Sequence, residues 1–306
     1  MKKLFVLGSI NMDFIFKVDQ MPSKGQTISG KGFSNFPGGK GANQAVAAAK
    51  QGAKTYMIGN VGNDIFGSEL IEKLVSYHVE TDFVKQLSDT SSGTACILLE
   101  DNDNRIITYG GANHIHDIKE VEDILNQNAS ADDTLLMQLE IPLDVIKKAL
   151  EIAKDKGMQT VLNAAPMKKL NSDVLSLVDL LIVNESETKA LTDLDVDDTN
   201  IDQAFEIIKT LGPKKCIITL GDKGSYYKEE DRIIYTKVYI SEIVDTTGAG
   251  DAFIGIFLAN KMMNIDTETA LKRATAGASI TIETMGAQNA IPTKLMIDDF
   301  LDREES

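Results

Sequence analysis

Residues 134–166, TLLMQLEIPLDVIKKALEIAKDKGMQTVLNAAP, decide the fold. TLLMQL is an apolar run of strand length. In the following IPLDVIKKALEIAKDKG, apolar residues recur at i, i+3 and i+4, as they do along one face of a helix. MQTVLN is then a second apolar run. A strand, a helix and another strand in this space form a right-handed crossover between parallel strands. Runs without polar alternation suit strands buried on both faces, so helices must cover the sheet above and below.

The same unit recurs in both directions along the chain. KLFVLGSI, KTYMIGNVG, DLLIVNESE and KKCIITLG read as further buried strands. NQAVAAAKQGA, FGSELIEKLVSYH and NIDQAFEIIKTLG read as amphipathic helices. The expected fold is α/β: a doubly wound, mostly parallel sheet flanked by helices, in one domain over residues 1–306. Two places break the rhythm. FIFKV and QTISGKGFSNF alternate apolar with polar residues, and GTACILLEDNDNRIITYGG reads as a hairpin turning at Asp101 to Asn104. They predict a small accessory sheet, a lid formed by about residues 13–36 and 93–110.

Composition limits the function. The formal charge is −15, from 31 Lys and Arg against 46 Asp and Glu. Such a surface repels DNA, RNA and anionic membranes, although backbone amides at a helix start can still bind one small phosphorylated ligand. No apolar stretch reaches the roughly 18 residues of a membrane span. The opening MKKLFVLGSINMD is interrupted by Asn11 and Asp13 and reads as a strand, not an export signal. Cys96 and Cys216 lie far apart in apolar runs, so buried free thiols and a cytoplasmic protein are expected.

Ligands of such sheets bind beyond the carboxyl ends of the strands. That directs attention to Asn11, Asp13, Asn60, Asp64, Glu140, Asn163, Asn184, Glu187 and Gly221 to Gly224. Two glycine-rich turns also open helices: FPGGKGANQAVAAAK (36–50) and DTTGAGDAFI (245–254). A helix start is an anion site, because its first N–H groups are unpaired and the macrodipole is positive there. Asp251 after such a turn either caps the helix or works beside an anion held by the amides. The three histidines lack metal-ligand spacing, and HIH at 114–116 reads as a surface loop. LGSINMD after the first strand also lacks the G-x-G-x-x-G that a nicotinamide-dependent dehydrogenase would carry. A protein that only bound a sugar would not need DTTGAGD.

SINMD, GGKGANQAVAAA, MQLE, NESE, TLGDKG and DTTGAGDAF occur in one order along almost the whole chain. In this the sequence resembles the ribokinase family of sugar and nucleoside kinases. The resemblance implies ATP-dependent phosphorylation of D-ribose to ribose 5-phosphate; deoxyribose, fructose, tagatose and adenosine are the alternative acceptors. It implies sugar contacts from Asn11, Asp13, Gly38, Gly39, Lys40, Asn43 and Glu140, with Asp251 as general base. Gly248, Ala249 and Gly250 would form an anion hole. ATP would lie on Asn184, Glu187, Thr219, Gly221, Asp222, Gly224, Gly250 and Thr275, with Glu187 organising Mg²⁺ through waters. A K⁺ activator would sit among Asp245, Thr247, Thr281, Thr284, Gly286 and Ala290, although Ala290 stands where the family commonly has serine. A homodimer through the lid sheet is the expected assembly.

Overall fold

The computed structural model describes residues 2–100 and 103–304. Thirteen strands and ten helices alternate through them. The strands are β1 (Lys3–Leu7), β2 (Asn11–Lys17), β3 (Gly32–Gly38), β4 (Lys54–Gly62), β5 (Glu80–Leu87), β6 (Gly93–Glu100) and β7 (Asp103–Tyr109). The later ones are β8 (Thr134–Gln138), β9 (Gln159–Asn163), β10 (Leu180–Asn184), β11 (Lys215–Thr219), β12 (Ser225–Glu229) and β13 (Arg232–Thr236). The helices begin with α1 (Lys40–Lys50), α2 (Ile65–Ser76), α3 (Ile118–Asn128), α4 (Leu143–Asp155) and α5 (Ser172–Leu175). They continue with α6 (Glu185–Thr192), α7 (Ile201–Leu211), α8 (Ala249–Met262), α9 (Thr267–Thr281) and α10 (Lys294–Glu304).

Nine strands form one sheet in the order β13-β12-β11-β10-β9-β8-β1-β4-β5. It is parallel from β11 to β5, while β12 and β13 complete it antiparallel. The expected doubly wound sheet is therefore present. The side chains of β1 show how its two faces are covered: Leu4 and Val6 enter the core beneath α1, α8 and α9. Phe5 and Leu7 enter the core beneath α3, α4 and α7. Chain order reverses between β1 and β8, the switch point where such sheets open a crevice.

The second sheet has four strands, ordered β3-β2-β6-β7. Its own buried cluster is only Ile15, Ala95 and Ile97, with Phe36 and Leu99 packed against it. Two sequence expectations need correction here. The stretch QTISGKGFSNF is strand only from Gly32, because the preceding residues find no partner strand. The hairpin turn assigned to Asp101–Asn104 is shorter, since Asp103 already pairs with Glu100; positions 101 and 102 lie outside the described residues. Cys96, expected in the core, is half-buried on this thin sheet, whereas Cys216 is buried in the main one.

Candidate active site

Helices α1 and α8 converge on the carboxyl edge of the main sheet. The turn before α1 must pass over the β1–β2 connection. Gly39 does so with φ +90°, where an added Cβ would lie 2.8 Å from Asn11 N and Ser9 O. Gly248 begins α8 with φ +79° and lies so close to Ala287 that a Cβ would approach its methyl to 2.8 Å. Neither helix has a side-chain N-cap. Among the described residues, nothing accepts from the N–H of Gly248 or Gly250, while that of Ala249 closes the turn onto Thr246 O at 3.3 Å. Two donors therefore face outward at a helix start, as an anion site requires.

Asp251, in the first turn of α8, is 8% exposed and does not cap the helix. Its Oδ2 accepts from Asn43 Nδ2 at 2.9 Å and its Oδ1 from Gln44 Nε2 at 2.8 Å. The carboxylate is thus carried by one helix and held by the start of the other. Lys40 lies beside it. Asp251 is the chief cause holding the Lys40 ammonium above its usual value; burial opposes, and Glu140, Glu187 and Asp13 reinforce.

A cleft of about 260 Å³ opens here, lined by Lys40, Asn184, Glu187, Thr219, Gly248, Gly250 and Asp251 among others. Asn163 and Thr246 line it as well. Asn184 and Glu187 form a reciprocal capping box on α6: Asn184 Oδ1 accepts from Glu187 N and Glu187 Oε2 from Asn184 N, both at 2.9 Å. Burial raises the Glu187 carboxyl, against the pull of its Asn184 bond and of Lys40. Gly221 and Asp222 are exposed after β11, and Gly224 is buried with φ +94° where the chain turns into β12. Thr275 does not line the cleft; it is buried on α9 with an unpaired hydroxyl.

The remaining predicted residues gather at the β1–β2 connection. Glu140 accepts from the backbone N–H of Lys40 at 3.0 Å and makes a short bond with Ser9 Oγ. Asn11 Oδ1 accepts from Asn113 Nδ2 at 2.7 Å. Asp13 lies against Gly38, whose missing side chain leaves its place to the carboxylate. Burial, then Glu140 and Asp251, push the Asp13 carboxyl up to about 7, against the pull of Lys40. Four carboxylates thus face one ammonium.

Below α8, Asp245 ties two loops together. Its Oδ1 accepts from Thr247 N at 2.9 Å and Thr247 Oγ1 at 2.6 Å, and its Oδ2 from Gly286 N at 2.9 Å. Thr281 turns its hydroxyl back to Gly277 O at 2.7 Å, and its carbonyl accepts from Thr284 N at 3.4 Å, leaving one acceptor position of that carbonyl for a ligand. Ala290 is buried and offers no side-chain oxygen.

Sequence reasoning left several residues unassigned. Gln44, Gln138, Ser9 and Asn113 are all buried polar groups bonded to the site. Gln138 carried a signal, being polar at the end of an otherwise apolar strand. Other flagged residues have structural work. Asp64 caps α2 through Gly67 N and also accepts from Ser92 N and Oγ, at 2.7–2.8 Å. Asn60 donates to Ile115 O. His116 is not the surface residue expected: it is half-buried, burial lowers its pKa, and its Nε2 has no partner. Among the described residues no group of three or more His, Cys, Asp or Glu could hold a metal.

A mostly parallel sheet with a thin accessory sheet, an anion-ready helix start and a carboxylate beside it define a phosphotransferase of the sugar-kinase class. The chain belongs to the pfkB family of carbohydrate kinases, whose pattern it matches over residues 1–294. It is 35% identical to a ribokinase of Haemophilus influenzae, covering 98% of this chain and 99% of that protein. A deoxyribokinase of Salmonella typhi is 34% identical, with 98% and 99% covered. The structure of Arabidopsis thaliana ribokinase complexed with ribose and ATP superposes with a TM-score of 0.89 at 31% identity, with 98% of each chain covered.

Proposed function

We propose that the protein phosphorylates D-ribose with ATP to give ribose 5-phosphate. Asp251 is the general base and the free amides of Gly248 and Gly250 are the anion hole; Ala249, which the sequence also offered, gives its N–H to Thr246 O. One observation carries this reading: Asp251 stands at a helix start without capping it, while free N–H groups of the same turn face the cleft. Asp251 takes the proton of the attacking sugar hydroxyl, and the amides with Lys40 neutralise charge on the phosphoryl group in transfer. Asn11, Asp13, Gly38, Gly39, Lys40, Asn43 and Glu140 hold the sugar. Asn184, Glu187, Thr219, the turn with Gly221, Asp222 and Gly224, and more deeply Thr275 hold the nucleotide.

Mg²⁺ fits this cleft for a reason of charge, since four carboxylates and one lysine give phosphates little relief. Glu187 would orient its waters, as a hard cation keeps several, and the ion would neutralise the phosphates. The two loops tied by Asp245, which carry Thr247, Thr281, Thr284 and Gly286, would offer backbone carbonyls to a large, weakly hydrated cation such as K⁺. Ala290 removes one hydroxyl from that set. Activity should be higher in K⁺ than in Na⁺ at matched ionic strength; equal rates in both and in a bulky organic cation would remove the site.

The four-stranded sheet acts as a lid and joins two copies. Phe33, Ile107 and Tyr109 share one of its faces and are 58%, 68% and 59% exposed, more apolar surface than a solvated flap needs. Light scattering that finds a monomer at micromolar concentration overturns the dimer. No helix of the described residues is long and apolar enough to cross a membrane, and both cysteines are free, which supports a cytoplasmic place.

The deciding experiment is an ATP-consumption screen over ribose, 2-deoxyribose, fructose, tagatose and adenosine. Ribose should give the highest kcat/KM. Deoxyribose is the second reading, favoured by the similarity to the Salmonella typhi deoxyribokinase. A higher kcat/KM for any other acceptor overturns ribose as the substrate.

A further inference from the structure

Behind Asp251 runs a chain of buried amides: Asn163 reaches the cleft wall, while Gln44 and Gln138 do not line the cleft. Gln44 is fully buried at the start of α1, and both N–H groups of its side chain and its carbonyl oxygen find partners in the interior. Its Nε2 donates to Asp251 Oδ1 at 2.8 Å and to Asn163 Oδ1 at 3.1 Å. Its Oε1 accepts from Gln138 Nε2 at 2.7 Å. Asn163 in turn donates from Nδ2 to Ile182 O at 3.2 Å.

The two ends of this chain fix the direction of every amide between them. Ile182 O is a backbone carbonyl and Asp251 a carboxylate, so both ends only accept. Asn163 must therefore present its nitrogen to Ile182 and its oxygen to Gln44. Gln44 must present its nitrogen to both Asn163 and Asp251. A flipped Gln44 would set oxygen against oxygen at Asp251 and nitrogen against nitrogen at Gln138. Asn43 differs: it donates to the other oxygen of Asp251, and its own Oδ1 is buried without a partner, open to a substrate hydroxyl.

We infer that Gln44 is a positioning residue for Asp251, locked in its donating orientation by Gln138 and Asn163. It holds one oxygen of the carboxylate and fixes its plane, so the other oxygen is aimed to take a proton. This rests on the reading of Asp251 as general base.

Gln44→Met keeps volume and removes the donor. A hydrogen bond to a charged group supports a loss in kcat on the order of ten- to a hundred-fold, with KM for ribose and for ATP within a few-fold of wild type. The acid limb of the pH–kcat profile should move to higher pH, because the ionised carboxylate has lost a donor. Gln44→Glu is the isosteric second variant; it puts acceptor against acceptor and should move the limb further the same way. Gln138→Met should have a smaller effect in the same direction. The double variant Gln44→Met with Gln138→Met should be no slower than Gln44→Met alone, since Gln138 acts through Gln44. A wild-type acid limb in both Gln44 variants, or additive losses in the double variant, overturns the inference. Asp251→Asn separates the two levels. If it keeps turnover, the base assignment fails; if it collapses while the Gln44 variants behave as wild type, only the positioning role fails.

Discussion

Asp251 and Asp13 both bring a carboxylate to the same site, on opposite kinds of support. Asp251 stands between two helices whose facing turns are almost wholly buried, and each of its oxygens accepts one amide donor. Asp13 stands on β2 of a four-stranded sheet with a three-residue core, and no hydrogen bond of its side chain is found among the described residues. Satisfied donors favour a charge, and burial near other carboxylates disfavours it. Asp251 is thus held ready by the protein itself. Asp13 is incomplete until a ligand supplies donors. On the function proposed above, the body of the molecule is preorganised for chemistry and the thin sheet is completed by its substrate.

That contrast can be broken at its strongest point. Asp251→Asn keeps both size and polarity but removes the proton affinity, and a general base contributes about 10²–10⁴-fold in rate. Turnover should fall by that factor while calorimetric ribose affinity changes only a few-fold. A variant retaining more than half of wild-type turnover would refute the assignment. The next effect belongs to the small sheet. Asp13→Ala leaves sugar hydroxyls unpaired at about 1–3 kcal/mol per group, so KM for ribose should rise roughly ten- to a hundred-fold. KM for ATP should stay near wild type; equal rises in both would mean that the two ligands do not divide the site in this way.

Where the sequence could be read followed how the residues are buried. The central strands β1, β8, β9, β10 and β11 are continuous apolar runs covered on both faces, and they stand out without any alignment. β5 and β13 are the edge strands and β12 lies beside β13; ETDFVKQL has no fully buried position, SYYKE only buried and half-buried ones, and RIIYT mixes exposed with buried. These strands escaped notice, because half-exposed edges show only short alternation. Of the site, the glycine turns and their polar neighbours were legible, since only a helix start needs such residues there. Gln44 and Asn113 were not, because each matters through a partner about 100 to 210 positions away in sequence. Ala249 shows the remaining limit: its place in the anion turn was readable, but not that its N–H closes the turn itself.

The smallest effect tests the incompleteness of Asp13 directly. Burial first, then Glu140 and Asp251, raise its carboxyl from 3.8 to about 7, with Lys40 pulling the other way. In the unfolded chain the same group loses its proton near the ordinary value. Between these limits the folded protein holds the extra proton, so stability falls as pH rises through the window, and the loss is complete above about 7. Asp13→Asn cannot ionise and escapes this loss. At pH 8, without ligand, the variant should melt higher than wild type by roughly 1–3 °C, small because the unfolding entropy of a chain this long is large. At pH 5 most of that advantage should be gone. Saturating ribose should reverse the order at pH 8, since sugar hydroxyls donate to an ionised Asp13 better than to an amide. Differential scanning calorimetry at the two pH values, with and without ribose, reads all four states. A melting difference that is the same at both pH values would show that Asp13 is already satisfied by the protein, and the contrast with Asp251 would fall.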